Sequence, residues 1–151
     1  MAAIVVPTRF GKIALTEKGG ALVRAEWDGV AEGRATALLE EAGRQLRAYD
    51  GGVLEAFDLP MAVGGSAALQ AVCAAMRAIP FGYTRTYGEI AGETGLSAQA
   101  VGQLCGANPL PILIPCHRVM GARGLTGYSG KGGVETKVAL LRHEGAAGLL
   151  I

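Results

Sequence analysis

The sequence predicts two domains: an α/β domain with a small antiparallel sheet and one helix over residues 1–64, and a mostly α-helical domain over residues 65–151. The first is predicted by apolar residues that alternate with a period of two and then, from Ala35, recur at helical spacing. The second is predicted by two short helical segments on either side of a glycine-containing turn, the outline of a helix-turn-helix. A third observation, an apolar run that ends in Cys116 and His117, indicates where chemistry can take place.

Three strands and one helix account for the first domain. Strands are predicted at residues 3–6, 11–16 and 21–27, with a turn at Glu17-Lys18-Gly19-Gly20 between the last two. In the third strand the side chains alternate in a half-buried pattern, with Val23, Ala25 and Trp27 on one face and Leu22, Arg24 and Glu26 on the other. A helix is predicted from Ala35 to Tyr49, and residues 53–65 form a connector. This domain carries no candidate chemistry.

Two helices frame the second domain. Ser66 is the predicted N-cap of the first, Pro80 ends it, and Cys73 lies on its apolar face as a core residue. The last helix of the chain is marked by Val134, Val138 and Leu141, and on it Lys137 and Arg142 are expected to be exposed.

Between them lies the predicted helix-turn-helix. Thr86 and Glu89 form a capping box that opens a helix through about Glu93, and Ser97 caps a second helix that ends near Gly106. On the second helix the residues expected to face inward are Val101, Leu104 and Cys105, and those on the opposite side are Gln99, Gly102, Gln103 and Gly106. So small and uncharged a face can approach a phosphate backbone or enter a narrow groove. The alternative is that the glycines allow tight packing between helices.

Composition narrows the function classes. The chain has 151 residues and is half hydrophobic, but its apolar runs are shorter than the roughly 18 residues of a membrane span, and no secretory signal is visible. The three cysteines show no CxxC spacing, which argues against a disulfide framework and for a reducing, cytoplasmic setting. With two histidines, a structural metal site is not expected. Residues 1–65 hold seven Lys/Arg and nine Asp/Glu, whereas residues 66–151 hold seven Lys/Arg and four Asp/Glu. The net positive charge of the second segment is compatible with a polyanionic partner.

Cys116 is the strongest candidate for a nucleophile. The run before it, bounded by Pro109 and Pro115, is predicted to be a short buried extended segment. A cysteine attacks as the thiolate, and His117 and Arg118 can favour that form. Consecutive side chains of an extended chain point to opposite faces, however, so the two can cooperate only through a turn or a bridging water. The alternative is a buried structural cysteine beside a surface histidine.

Residues 108–119, Asn-Pro-Leu-Pro-Ile-Leu-Ile-Pro-Cys-His-Arg-Val, resemble the signature of the methylated-DNA–protein-cysteine methyltransferases, the 6-O-alkylguanine-DNA alkyltransferases. The resemblance is close from about residue 65 to 145 and includes the segments 79–82, 86–89, 127–130 and 140–145. It implies a ribonuclease-H-like first domain and a helix-turn-helix that binds the DNA minor groove. The implied partner is double-stranded DNA containing alkylated guanine, bound by a cytoplasmic monomer without a cofactor or a metal.

The implied activity is irreversible transfer of the alkyl group from 6-O-alkylguanine, and possibly 4-O-alkylthymine, to the protein's own cysteine, once per chain, after the base is flipped out of the duplex. By resemblance Cys116 is the nucleophile, His117 its base through a water, Glu144 the residue that orients His117, and Asn108 the brace of the turn. The implied substrate-binding residues are Tyr87 as proton donor, the main chain of Cys116 and Val119, Tyr128 and Ser129 as pocket wall, and Cys105. The implied DNA-binding residues are Gln99, Tyr87, Gly88, Ser97, Ala98, Gly102, Gln103, Arg118, Ala122 and Arg123.

Two positions depart from the family pattern. Gln99 stands where an arginine usually fills the space of the extruded base, so either base flipping or DNA affinity is weaker, or another residue such as Arg85 or Arg123 compensates for the missing charge. Cys105 stands where larger residues such as Met occur, which would admit bulkier alkyl groups. Two alternatives remain: a non-catalytic alkyltransferase-like protein that binds lesions, kept open by Gln99, and a thiol hydrolase that uses Cys116, His117 and Glu144.

Overall fold

The computed structural model describes residues 1–122 and 133–146, and the chain divides into two compact units, Met1–Val63 and Gly64–Ile151. The N-terminal unit is a three-stranded antiparallel sheet with one helix, and the C-terminal unit is mainly helical, which confirms the predicted fold class. In the part of the chain that is described, no helix is both long and apolar enough to cross a membrane.

The sheet of the N-terminal unit has the order β1 (Ala2–Thr8), β2 (Gly11–Lys18), β3 (Ala21–Trp27). The turn between β2 and β3 is made by Gly19 and Gly20, whose φ values of 63° and 84° are those that glycine adopts without strain. The predicted hairpin is therefore confirmed.

A β-bulge interrupts the alternation predicted for β3. Thr16 pairs with Arg24 and Glu17 pairs with Leu22, so Val23 is an extra residue without a partner on β2. A bulge shifts the side-chain alternation by one residue, and Leu22 and Ala25 are consequently both buried. The predicted alternation holds only from Arg24 onwards.

Helix α1 (Ala37–Asp50) packs on this sheet. It begins two residues later than predicted because the side chain of Thr36 accepts a hydrogen bond from the amide of Leu39 and so acts as the N-cap. Part of the predicted connector is bound to the sheet: the amide of Leu22 donates to the carbonyl of Pro60, and the amide of Ala62 donates to the carbonyl of Leu22, both at 2.9 Å.

The C-terminal unit contains α2 (Ala67–Arg77), β4 (Arg85–Thr86), α3 (Tyr87–Thr94), α4 (Ala98–Gly106), a 3₁₀ turn (Cys116–Arg118), β5 (Val119–Met120) and α5 (Val134–His143). The capping box of Thr86 and Glu89 is present at the start of α3, Gly95 ends that helix in the left-handed conformation, and Ser97 caps α4. These local signals confirm the predicted helix-turn-helix. Strands β4 and β5 pair in parallel, with Arg85 opposite Val119.

Two expectations for this unit are wrong. The run before Cys116 is buried but not extended: it turns back on itself, with the amide of Ile114 donating to the carbonyl of Leu110 at 2.8 Å and Ile112 at φ 71°. On α5, Lys137 is buried instead of exposed, whereas Arg142 is exposed as predicted. The buried face of α5 is set by Leu140 and Leu141, and residue 137 shares that face by the i, i+3, i+4 rule.

Candidate active site

Cys116 lies at the start of the 3₁₀ turn and is 7% exposed. The tight turn at Pro115 (φ −81°, ψ 71°) ends the preceding loop, and the amide of Cys116 donates to the carbonyl of Ile114 at 2.8 Å. Since the chain coils here instead of running extended, Cys116 and His117 are not forced to opposite faces. The condition for their cooperation, a turn at Pro115-Cys116, is therefore met.

Asn108 ties both ends of the loop that carries Cys116. Its side-chain amide donates to the carbonyl of Ile114 at 2.8 Å, and its side-chain oxygen accepts from the amide of Leu110 at 3.0 Å. The positive φ of Ile112 is unfavourable for a residue with a side chain. Such a conformation persists only where surrounding contacts hold the backbone in place. The side chain of Asn108 thus braces the turn that positions the thiol.

His117 is fully buried and contacts Glu144, which caps the C-terminal end of α5. Its Nε2 lies 2.7 Å from Oε2 of Glu144, and both side chains are 0% exposed. Because Nε2 donates to the carboxylate, Nδ1 of the neutral ring is left as an acceptor. This Nδ1 is buried and has no hydrogen-bond partner among the atoms that the structure describes. The alternative of a surface histidine is therefore wrong.

Burial lowers the pKa of His117, an effect that the hydrogen bond to Glu144 opposes and the nearby charges of Arg118 and Lys137 reinforce. The imidazole is consequently neutral at physiological pH. A neutral ring with a free acceptor nitrogen, held in orientation by a carboxylate, has the form of a general base.

Arg118 completes this buried network. Its Nε and Nη2 donate to Oε1 and Oε2 of Glu144 at 2.8 and 2.9 Å, its Nη1 donates to the carbonyl of Ile79 at 2.7 Å, and its guanidinium lies 5.9 Å from the ring centroid of Phe81. The residue is 6% exposed. The assignment of Arg118 to the DNA-binding surface is therefore corrected, since its guanidinium is occupied inside the unit.

Acid should weaken this network. Burial would raise the pKa of Glu144, but hydrogen bonds from His117 and Arg118 and their charges lower it from 4.5 to about 2. The carboxylate of Glu144 therefore takes up a proton more readily in the unfolded chain than in the folded one. Its ionised form stabilises the fold by about 3 kcal/mol. This contribution is complete above pH 4.5 and is lost as the pH falls towards 2. We expect the midpoint of urea denaturation to fall steeply across this range. A midpoint that stays constant down to about pH 3 would contradict the network.

Lys137 was missed as a site residue. Its ammonium donates to the carbonyl of Val119 and lies 5.8 Å from the ring centroid of Tyr87. Burial lowers the pKa of Lys137, and negative charge on Cys116 or Cys105 opposes that shift, so the ammonium is within electrostatic reach of the Cys116 thiol. The signal that could have found Lys137 is its position on the same helical face as Leu140 and Leu141.

The other two cysteines are buried thiols. Burial, with a smaller contribution from the charge of Cys116, raises the pKa of Cys73 to about 11 and that of Cys105 to about 12. Neither is a thiolate at neutral pH, which agrees with a core role for Cys73. That Cys105 forms a pocket wall stays a prediction.

The parallel pairing of β4 with β5 brings the start of α3 beside the segment that follows Cys116. The structure thus assembles in one region the predicted residues Asn108, Cys116, His117, Val119 and Glu144, with Tyr87 joined to them through Lys137. Tyr128, Ser129 and Arg123 lie outside the described residues. No group of three or more His, Cys, Asp or Glu side chains in residues 1–122 and 133–146 is arranged to hold a metal ion.

The outer face of α4 is open. Gln99 and Gln103 are exposed, and a Cβ atom added at Gly102 or Gly106 would meet nothing within 4 Å. The alternative that these glycines serve tight helix packing is therefore wrong. The other described residues predicted to bind DNA are exposed or half-buried: Tyr87, Gly88, Ser97, Ala98 and Ala122.

Comparison with known proteins places this site in a recognised group. The family profile described as 6-O-methylguanine DNA methyltransferase, DNA binding domain, matches residues 67–146. The methylated-DNA–protein-cysteine methyltransferase of Methanosarcina acetivorans is 47% identical over 112 residues, which cover 72% of this chain and 70% of that protein. The protein of the same name from Mycobacterium tuberculosis H37Rv is 48% identical over 103 residues, covering 66% of this chain and 61% of its own length.

Solved structures agree over nearly the whole chain. The crystal structure of Mycobacterium tuberculosis O6-methylguanine methyltransferase superposes with a TM-score of 0.86 at 35% identity, covering 100% of this chain and 97% of that one. The structure of Mycobacterium tuberculosis OGT in complex with DNA superposes with a TM-score of 0.82 at 37% identity, covering 93% and 91%.

Proposed function

Because this chain belongs to the methylated-DNA–protein-cysteine methyltransferase family, we propose that it repairs 6-O-methylguanine in duplex DNA by transferring the methyl group irreversibly to Cys116. The observation that carries this proposal is the buried hydrogen bond between Glu144 and His117, the residue that follows Cys116 in the 3₁₀ turn. The protein acts as a cytoplasmic monomer, needs no cofactor, and turns over once, since the thioether is stable and none of the described residues of the site offers a way to reverse it.

The first half of the reaction is activation of the thiol. The proton of Cys116 passes through a water to Nδ1 of His117, the buried acceptor that Glu144 leaves available by binding Nε2. The resulting imidazolium is stabilised by the Glu144 carboxylate. The nearby ammonium of Lys137 favours the thiolate over the thiol.

The second half is displacement at the alkyl carbon. A sulfur–carbon bond forms while the carbon–oxygen bond to guanine breaks, and its electron pair moves onto the purine. The hydroxyl of Tyr87, whose ring centroid lies 5.8 Å from the Lys137 ammonium, donates a proton to the leaving guanine. The carbonyl of Val119 accepts from Lys137 but has a second lone pair, which can receive the exocyclic amine of the base.

The methylated base must leave the helical stack before the thiol can reach it, which costs a few kcal/mol. The exposed face of α4 is the part of the helix-turn-helix that meets the minor groove in this proposal, and the side chain of Gln99 fills the space of the extruded base. Gln99 hydrogen-bonds the orphan base but carries no charge. The same chemistry extends to 4-O-alkylthymine, whose alkyl group is likewise attached to an exocyclic oxygen.

Intact-protein mass spectrometry tests this function. After incubation with excess duplex containing one 6-O-methylguanine, we expect each chain to gain the mass of one methyl group and no more, and Cys116→Ser to gain none. Removal of more than one methyl per chain would contradict single turnover. Tight binding without any mass gain would instead establish a non-catalytic lesion binder. Gln99→Arg would then be the first variant to test for a gain of transfer. Catalytic ester or amide cleavage would indicate a thiol hydrolase.

A further inference from the structure

All three cysteines of the chain lie in the C-terminal unit, and none of them is in a disulfide. Cys73 is a buried residue of α2, Cys105 is a buried residue of α4, and Cys116 begins the 3₁₀ turn. Helix α2 contacts both α4 and this turn. Because each cysteine is on the buried side of its element, the three thiols share one core.

Electrostatic effects show that these thiols are close to one another. Burial raises the pKa of Cys73 and that of Cys105, and negative charge on Cys116 raises both further. Burial lowers the pKa of Lys137, and negative charge on Cys116 and on Cys105 opposes that shift. The ammonium of Lys137 therefore acts on Cys105 and Cys116 together, whereas the charge that acts on Cys73 is that of Cys116.

Hydrogen bonds of Asn108 link Cys105 to the loop that carries Cys116. The amide of Asn108 donates to the carbonyl of Cys105 at 3.3 Å, and its side chain donates to the carbonyl of Ile114 at 2.8 Å. That carbonyl of Ile114 also accepts from the amide of Cys116 at 2.8 Å. The residue that braces the active-site turn thus also holds the end of α4 from which Cys105 projects.

We propose that Cys105 is a resolving thiol, which forms a reversible disulfide with Cys116 after a hydroperoxide has oxidised Cys116. In the first step the sulfur of Cys116 attacks hydrogen peroxide, the oxygen–oxygen bond breaks, and a sulfenic acid and water are formed. In the second step the sulfur of Cys105 attacks the sulfenic sulfur, the sulfur–oxygen bond breaks, and a second water leaves. The two thiols together lose two electrons and two protons, and the peroxide is reduced.

The charges around Cys105 favour the second step once Cys116 is oxidised. The protonated sulfenic acid carries no negative charge, so one of the causes that disfavour a thiolate at Cys105 is removed, while the ammonium of Lys137 remains. Burial still disfavours that thiolate, so the disulfide should form slowly at neutral pH and faster as the pH rises.

A disulfide would keep Cys116 from the sulfinic and sulfonic acids, from which reducing thiols do not regenerate a cysteine. For a protein that uses its nucleophile once, each thiol recovered is one repair event preserved. This benefit rests on the proposed function, whereas the disulfide itself does not.

Mass spectrometry of the unsubstituted chain after treatment with hydrogen peroxide tests the pairing. We expect the intact protein to lose the mass of two hydrogen atoms, and peptide mapping to show a link between Cys105 and Cys116. Dithiothreitol should then restore the original mass. A link from Cys116 to Cys73 or to a second chain, added oxygen at Cys116 without a link, or an unchanged mass would overturn the proposal.

Cys105→Ala and Cys73→Ala form a matched pair, because each removes one buried thiol near Cys116. After peroxide and then dithiothreitol, Cys73→Ala should recover the methyl transfer of its own untreated sample. Cys105→Ala should lose most of its transfer, with two or three oxygen atoms added at Cys116. Equal recovery in the two variants would show that Cys105 does not resolve the oxidised thiol.

The outcomes separate this inference from the proposed function. A reversible link between Cys105 and Cys116 in a chain that transfers no methyl group would support the resolving thiol and remove the repair activity. Methyl transfer by a chain in which peroxide forms no such link would overturn the resolving thiol alone.

Discussion

Glu144→Gln should slow methyl transfer to Cys116 by about 10²-fold or more, the low end of what a positioned general base contributes. The glutamine amide can donate to Nε2 of His117, which would place the ring proton on Nδ1 and remove the acceptor that the proposed mechanism uses. The change also leaves the guanidinium of Arg118 without its carboxylate. Breaking a buried ion pair from one side costs about 3–5 kcal/mol, so the midpoint of thermal unfolding should fall as well.

Single-turnover rates, followed by the fraction of methylated protein, check this result. Glu135→Gln is the matched control, because it makes the same change at an exposed position of α5 and should alter neither the rate nor the stability. If Glu144→Gln is too unstable to assay, His117→Gln removes the base while leaving Glu144 paired with Arg118. A normal transfer rate in either variant would show that the buried network is structural and not part of the reaction.

Lys137→Met should lower the transfer rate at neutral pH by about tenfold or more while leaving the fold as stable as before. Deleting the ammonium removes a nearby positive charge that favours the thiolate of Cys116, so that a higher pH is needed to ionise the thiol. Stability should change little, because the lost hydrogen bond to the Val119 carbonyl is offset by removal of a buried ammonium, and Met fills a similar volume with apolar atoms. Activity and stability therefore change independently in this variant.

The pH dependence of Cys116 alkylation by a small haloacetamide reports the ionisation directly. We expect the profile of Lys137→Met to shift to higher pH and that of Arg142→Met, an exposed cation of the same helix, to stay in place. Binding of the lesion duplex should be unchanged in Lys137→Met, since Lys137 is buried. An unshifted profile would mean that Lys137 acts only through its hydrogen bond to Val119.

Local signals in the sequence were sufficient for most of the secondary structure. The caps at Thr36, Ser66, Thr86 and Ser97 each satisfy a backbone amide three residues ahead, so the information that starts each helix lies within one turn of it. The hairpin at Gly19-Gly20 is equally local. The bulge at Val23 is not encoded locally, because it depends on the register of β3 with β2 and on the segment that pairs with Leu22.

The sequence by itself determined the family resemblance, and with it the proposal of Cys116 as the nucleophile and of His117 and Glu144 as its partners, because these rest on residue types in a fixed order. Only the tertiary structure decided that Arg118 and Lys137 are buried, since charged side chains are usually exposed and the sequence gives no reason to expect otherwise. Each is buried because a partner distant in the chain compensates its charge or its donors: Glu144 and the Ile79 carbonyl for Arg118, and the Val119 carbonyl for Lys137. Local spacing does not encode such contacts, because each of them joins residues that are at least 18 positions apart in the chain.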